Sequence, residues 1–173
     1  MNAETRREQI LALLSSEYPV TGKSLGEQLD VSRQVIVQDI ALLRAKGYDI
    51  IATPQGYIDN SRKQAQLSHK ITIASKHEKE DIQDELETIV DLGGSILDVV
   101  VEHPIYGEIK SYLMIKSRRD VQMFMDRLLD TNANPLATLT GGVHVHTIET
   151  TDENEANEIV QALKEKKYLV TEE

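Results

Sequence analysis

Apolar positions recur at helical spacing through the first part of the chain, then switch to alternating strands interleaved with amphipathic helices. Between Ala3 and Ser16, Ile10, Leu11, Leu13 and Leu14 form one stripe with charged residues opposite, and Pro19 stops that helix. Thr21 is placed to cap a short helix carrying Leu25 and Leu29, which ends in the turn Asp30-Val31-Ser32. Ser32 is placed to cap a third helix, where Val35, Ile36, Ile40 and Leu43 repeat until Lys46-Gly47 ends it. Three helices with a tight turn before the third predict a helix-turn-helix. Two short β-prone runs follow in DIIATPQGYI, Asp49 to Ile58, around the turn residues Thr53-Pro54-Gln55-Gly56, and predict the hairpin of a wing.

The stretch DNSRKQAQLS, Asp59 to Ser68, is polar and aperiodic, which predicts a linker. Beyond it, HKITIAS, SILDVVVEH, YGEIKSYLMIK, GGVHVHTIE and a terminal YLV read as strands. EKEDIQDELETIVDLGG, SRRDVQMFMDRLLDT and DENEANEIVQALKEK read as helices. The predicted fold class is α+β with two domains: a winged helix-turn-helix at 1–60, and at 69–173 an α/β sandwich whose antiparallel-rich sheet is covered by helices on one face.

Composition narrows the chemistry. The 173 residues contain no cysteine, so disulfides and thiolate metal sites are excluded and any metal must be held by His, Asp or Glu. No long apolar run and no signal-peptide pattern is present, which predicts a soluble cytoplasmic protein with no membrane partner. A formal charge of −10 argues against a general nucleic-acid coat. The acid is unevenly spread, however: residues 1–60 hold six Lys/Arg against eight Asp/Glu, and 61–173 hold thirteen against twenty-one. Any DNA contact therefore belongs to the first part.

On the third helix, Arg33, Gln34 and Gln38 point away from the apolar stripe near the N-terminal end, where a recognition helix meets base edges. Arg suits guanine and Gln suits adenine; Arg44 lies further along and suits phosphate, while Thr21 and Ser32 stand at the helix starts. The stretch TGKSLGEQLDVSRQVIVQDIALLRAKGY resembles the helix-turn-helix of biotin-repressor-like bacterial regulators. The dimer expectation follows from the DNA side, since one short helix reads only a few base pairs of a double-stranded operator.

Two of the five histidines stand in TGGVHVHTIE. In a strand His144 and His146 share one face, and two neutral imidazoles side by side can chelate a divalent ion, although a His-x-His is as often merely a solvated polar face. Further ligands are open among His69, His77, His103 and the acids of 78–91, of which Glu85 lies on the margin of the Ile82/Ile89 stripe. His103 precedes Pro104 and continues the Leu97, Val99, Val101 face, which suits a histidine bonded to a turn or one neighbouring a ligand pocket.

The segments SKHEKEDIQDELETIVDLGGSILDVVVEHPIYGEI and NPLATLTGGVHVHTIE, downstream of the helix-turn-helix, resemble the three-histidine domain of bacterial niacin-responsive repressors. The resemblance spans essentially the whole chain and implies a dimeric repressor of NAD biosynthesis or niacin uptake genes. It further implies a divalent transition metal (zinc, nickel, iron or cobalt) and nicotinic acid as corepressor. Its ligand pattern falls on His77, Glu85, His144 and His146. His103 and Tyr106, in the His-Pro-x-Tyr-Gly motif, and Arg118 are candidates for the effector. A metal-dependent hydrolase is the rival reading; it leaves the helix-turn-helix unexplained, so no enzymatic activity is expected. A regulator that senses metal alone is a further alternative.

Overall fold

The computed structural model describes residues 2–62 and 68–172, and the chain divides into two compact units, 1–66 and 67–173. Of the predicted linker, 63–67 lie outside the described residues, and Asn60–Arg62 form a short 3-10 turn.

In the first unit, α1 (Ala3–Leu13), α2 (Gly22–Leu29) and α3 (Arg33–Ala45) precede β1 (Ile50–Thr53) and β2 (Gly56–Asp59). Each helix begins on a side-chain acceptor: Asn2 takes the Thr5 N–H, Thr21 the Ser24 N–H and Ser32 the Val35 N–H. Such caps contribute about 1 kcal/mol each by satisfying amides the helix leaves free. The turn between α2 and α3 is closed by Asp30 in the left-handed region (φ 52°). It needs Gly26, where a Cβ would come 2.7 Å from the Val31 carbonyl oxygen. Ile10, Leu14, Leu25, Leu29, Ile36, Ile40, Leu43 and Ile50 form the core. β1 and β2 pair antiparallel, and Val20 bridges to Tyr57 ahead of α2.

One feature of this unit departs from the periodic reading. Asp39 lies buried on the inner side of α3, held by Arg6 Nε at 2.6 Å and Arg7 Nη1 at 3.3 Å from α1. A buried carboxylate requires such partners, and they come from 32 and 33 positions away in the chain.

In the second unit, β3 (His69–Lys76), α4 (Ile82–Asp91), β4 (Ser95–His103), β5 (Gly107–Ile115), α5 (Arg118–Asp130), β6 (Val143–Thr150) and α6 (Glu153–Glu165) form a four-stranded sheet with helices on one face. The strand order is β3-β6-β4-β5, and every pairing is antiparallel. β6 thus enters between β3 and β4, which run parallel to each other on either side of it. Ile82, Leu86 and Ile89 of α4, Val121 of α5, and Ile159 and Leu163 of α6 pack on Ile73, Ile96, Leu113, Ile115 and Ile148 of the sheet.

Two expectations change here. The terminal YLV is a single bridge, Ser75 to Leu169, rather than a strand. β4 does not keep one inward face: its register against β6 shifts between Ile96 and Val100, so Ile96 faces the core first and Val99 and Val101 follow. An extra residue in a strand reverses the facing of everything beyond it, which moves Leu97 out of the predicted stripe.

Candidate metal centre and DNA-reading helix

Three imidazoles converge on one buried carboxylate. His77 leaves the end of β3, Glu85 projects from α4, and His144 and His146 stand at alternate positions of β6. The Glu85 Oε2 oxygen lies 2.6 Å from His77 Nε2, 3.1 Å from His144 Nε2 and 3.5 Å from His146 Nε2. Ligand atoms of His77, Glu85 and His144 all fall within 4.8 Å of one another. Glu85 is 1 % exposed, so the margin position expected from helix spacing is a fully interior one. Strand alternation aims His144 and His146 at one point, with ring centroids 4.8 Å apart.

The other nitrogen of each ring is committed. His77 Nδ1 donates to the Glu78 carbonyl (2.9 Å), His144 Nδ1 to Gly142 (2.8 Å) and His146 Nδ1 to Asp98 (2.7 Å). A carbonyl oxygen only accepts, so each Nδ1 carries the proton and each Nε2 is left to face Glu85. The glycine pair before His144 acquires a reason. Gly142 has φ +92° and sits so close to the His77 backbone that a Cβ would come 2.4 Å from its carbonyl oxygen.

Burial opposes charge at Glu85, His77 and His146, and mutual pairing overrides it. Desolvation pushes Glu85 up, yet bonds from His144, His146 and His77 hold it well below the usual carboxylate range. Desolvation pushes His77 and His146 down, yet the bond to Glu85 raises both above the ordinary imidazole value. Glu85 Oε1 remains buried without a hydrogen-bond partner.

Asp98, which the sequence did not single out, holds the His146 side of the cluster. It sits in the shifted stretch of β4, where its carboxylate accepts the Thr147 N–H at 2.9 Å and pairs with Lys110 Nζ at 3.3 Å. Its own carbonyl is the acceptor for His146 Nδ1. No periodicity reveals such a residue, because the bulge that aims it depends on the register of two strands far apart in sequence.

The other expected effector residues are not brought to the cluster. His103 Nδ1 accepts the N–H groups of Ile105 (3.1 Å) and Tyr106 (3.3 Å), which makes it the turn-bonded histidine of the alternative reading. Tyr106 is 77 % exposed. Arg118 is held by Asp91 at 2.6 Å and Glu87 at 3.4 Å on the surface of the helical layer. His69 stands at the start of β3, opposite Thr150.

In the first unit, Arg33, Gln34, Gln38 and Arg44 are all exposed on α3, opposite the buried Ile36, Ile40 and Leu43. Thr21 and Ser32 spend their hydroxyl oxygens as acceptors for the helix caps.

A winged helix-turn-helix with a solvated reading helix, followed by a separate α/β unit with a buried ligand-type cluster, defines a two-part transcription regulator. The comparisons with known proteins agree. An HTH domain matches residues 6–58, and a 3H domain matches residues 70–172. The chain is 45 % identical over 170 residues to the probable transcription repressor NiaR of Thermotoga maritima, covering 98 % of this chain and 95 % of that one. It is 42 % identical over 172 residues to the transcription repressor NadR of Bacillus subtilis, with the same coverage of 98 % and 95 %. The chain belongs to the niacin-responsive family of transcription repressors. Among the described residues no helix is long and apolar enough to cross a membrane.

Proposed function

We propose that this repressor controls genes of NAD biosynthesis or niacin uptake, binds its operator as a homodimer, and is switched by nicotinic acid acting as corepressor on a metal-containing second unit. The observation that carries the metal reading is the proton placement. Three Nδ1–H groups are tied to backbone carbonyls, so three Nε2 atoms face the single Glu85 Oε2 oxygen. Left bare, they turn lone pairs toward a carboxylate; all protonated, they bury three positive charges against one negative. A divalent cation held by His77, Glu85, His144 and His146 removes both difficulties, and it gives the unpartnered Glu85 Oε1 something to face. Three imidazoles and a carboxylate without thiolate suit zinc, nickel, iron or cobalt. Such an ion supplies a positive, coordinatively flexible centre for an anionic ligand.

Arg33, Gln34 and Gln38 read base edges from the exposed side of α3, and Arg44 meets phosphate. Nicotinic acid controls DNA binding only through a difference in affinity between two arrangements of the protein. The test combines metal analysis of the purified protein with operator binding measured for the stripped protein, with metal alone, and with metal plus nicotinate. Tight binding only in the third condition supports the reading. Equal binding with metal alone makes the metal itself the signal.

A further inference from the structure

Three of the four ligand-type side chains stand inside regular elements: Glu85 in α4, His144 and His146 in β6. His77 does not; it follows the last residue of β3, where the chain leaves the sheet. β3 is an edge strand, and the segment that follows α6 runs along it at that end. The Lys76 N–H donates to the Tyr168 carbonyl (2.8 Å), the Val170 N–H to the Ala74 carbonyl (2.9 Å), and Leu169 bridges to Ser75. Lys167, in the left-handed region (φ 61°), turns the chain from α6 into this path. Its N–H meets the Lys164 carbonyl and the Tyr168 N–H meets the Leu163 carbonyl, each at 3.0 Å. Those two bonds are the paired closure that ends a helix and redirects the chain, here without the glycine that usually takes the left-handed position.

Tyr168 therefore arrives beside His77 in a fixed attitude. Its ring lies 5.1 Å from the imidazole, tilted by 59°, while His144 meets the same imidazole edge-on at 4.9 Å. The Tyr168 hydroxyl donates to Asp84 Oδ2 at 2.7 Å, and Lys166 Nζ reaches both oxygens of that carboxylate at 2.8 Å. Asp84 precedes Glu85 on α4, so the C-terminal segment is tied both to the helix that carries the central carboxylate and to the strand that leads to His77. The Asp84–Lys166 pair is half-exposed and contributes little by itself. Backbone pairing holds the segment, and the hydroxyl fixes where the ring stands.

We propose that Tyr168 is a positioning residue for His77: its ring backs the imidazole and its bond to Asp84 keeps it there, so that the C-terminal segment governs how fast a metal leaves the cluster. The inference rests on the metal reading above. A metal held by several side chains is released one ligand at a time, and the ligand on the least constrained backbone leaves first. His77 is that ligand, and its departure requires Tyr168 to give way.

Nickel release from the loaded full-length protein into excess chelator tests this. Tyr168→Leu keeps an apolar side chain against the core but removes the ring and its hydroxyl. It should release nickel about tenfold faster or more, the scale of loss when a partner that orients a metal ligand is removed. Tyr168→Phe should recover most of that loss. Asp84→Ala removes the hydroxyl's acceptor at a half-exposed position and should speed release about threefold. Val170→Ala, two positions along and 48 % exposed, should release at the parent rate. A double-mutant cycle separates action through His77 from general loosening: in a His77→Ala background, with three ligands left, Tyr168→Leu should change release by less than about twofold.

Full acceleration by Tyr168→Leu in that background overturns positioning through His77, and a Tyr168→Phe as fast as Tyr168→Leu overturns the ring contact. Parental release from both Tyr168→Leu and Asp84→Ala, or from Asp84→Ala alone where Tyr168→Leu does not fold, overturns the role of the segment and leaves the metal reading intact. A parent protein that takes up no nickel, zinc, iron or cobalt overturns the metal reading and this inference with it.

Discussion

Glu85→Gln removes the one negative charge on which His77, His144 and His146 converge, while leaving the side chain's shape unchanged. A ligand that binds only the folded state stabilises it by an amount that grows with the logarithm of its concentration over Kd, and at a hundredfold excess over Kd the gain is about 2.7 kcal/mol. For a folded unit of about 100 residues this corresponds to a rise in Tm of about 10–15 °C. Replacing a charged ligand by a neutral amide should weaken the metal by a factor of about 100, the upper end of what even indirect partners of metal ligands cost. At the same metal concentration saturation then falls to about half, the gain to about 0.4 kcal/mol, and the rise in Tm to about 2 °C. The assay is thermal unfolding of the full-length protein, stripped by chelator and reloaded with nickel or zinc, following the transition that responds to metal. An equal rise in the variant and the parent would show that Glu85 is not a ligand, and the assignment would fail.

The remaining predictions concern the supports of that site and the reading helix. In metal-free protein the raised His77 and His146 contribute stability that is present below their ordinary value of 6.5 and lost as pH climbs through the raised folded values. The lowered Glu85 contributes stability that is present above its ordinary 4.5 and lost as pH falls through its depressed folded value. Tm of the stripped protein should therefore decline from mildly acid to alkaline pH, whereas metal loading, which displaces protons, should strengthen with pH; a stripped protein whose Tm climbs across that window contradicts the pairing. Asp98→Ala leaves the Thr147 N–H without its acceptor and should cost about 1–3 kcal/mol and about 10–100-fold in metal affinity by chelator competition. Asp98→Asn, which keeps the acceptor, should recover most of the loss. Gly142→Ala places a Cβ 2.4 Å from the His77 carbonyl oxygen and should weaken metal uptake; unaltered affinity would mean that His77 is not held by this contact. On α3, Arg33→Ala and Gln38→Ala should each cost about 1–3 kcal/mol of operator binding, and Arg44→Ala should lower the salt dependence by about one counterion without changing specificity. Uniform effects of all three on unrelated DNA would place Arg33 and Gln38 on the phosphates.

Much of this architecture was legible because it is local. The caps at Thr21 and Ser32, the stripe through Ile36, Ile40 and Leu43, and the turn at Pro54-Gln55-Gly56 each depend on residues within a few positions of one another. The facing of His144 and His146 likewise follows from the two-residue period of a strand, and the inward tilt of Glu85 from the helical period of α4. From the residues alone, His69, His77 and His103 stood level as further ligands, and resemblance rather than spacing favoured His77. The fold separates them by distance: His77 reaches Glu85 at 2.6 Å, and His103 closes its own turn.

What periodicity did not reveal depends on pairing between distant segments. β6 enters between β3 and β4, so the sheet carries His144 to Glu85 across 59 positions of chain and sets the Asp98 carbonyl against His146 across 48. The extra residue in β4 displaces Leu97 from the core face and turns Asp98 into the support of a ligand-type histidine. Asp39 escapes the stripe rule for the same reason, since its arginines come from another helix. Arg118, eligible on paper for a carboxylate, is already taken by Asp91 and Glu87. Local sequence sets which way a side chain faces, because backbone geometry repeats over a few residues. Which groups then meet, and whether their charges are paired or spare, follows from strand register and helix packing, where the partners lie tens of residues away.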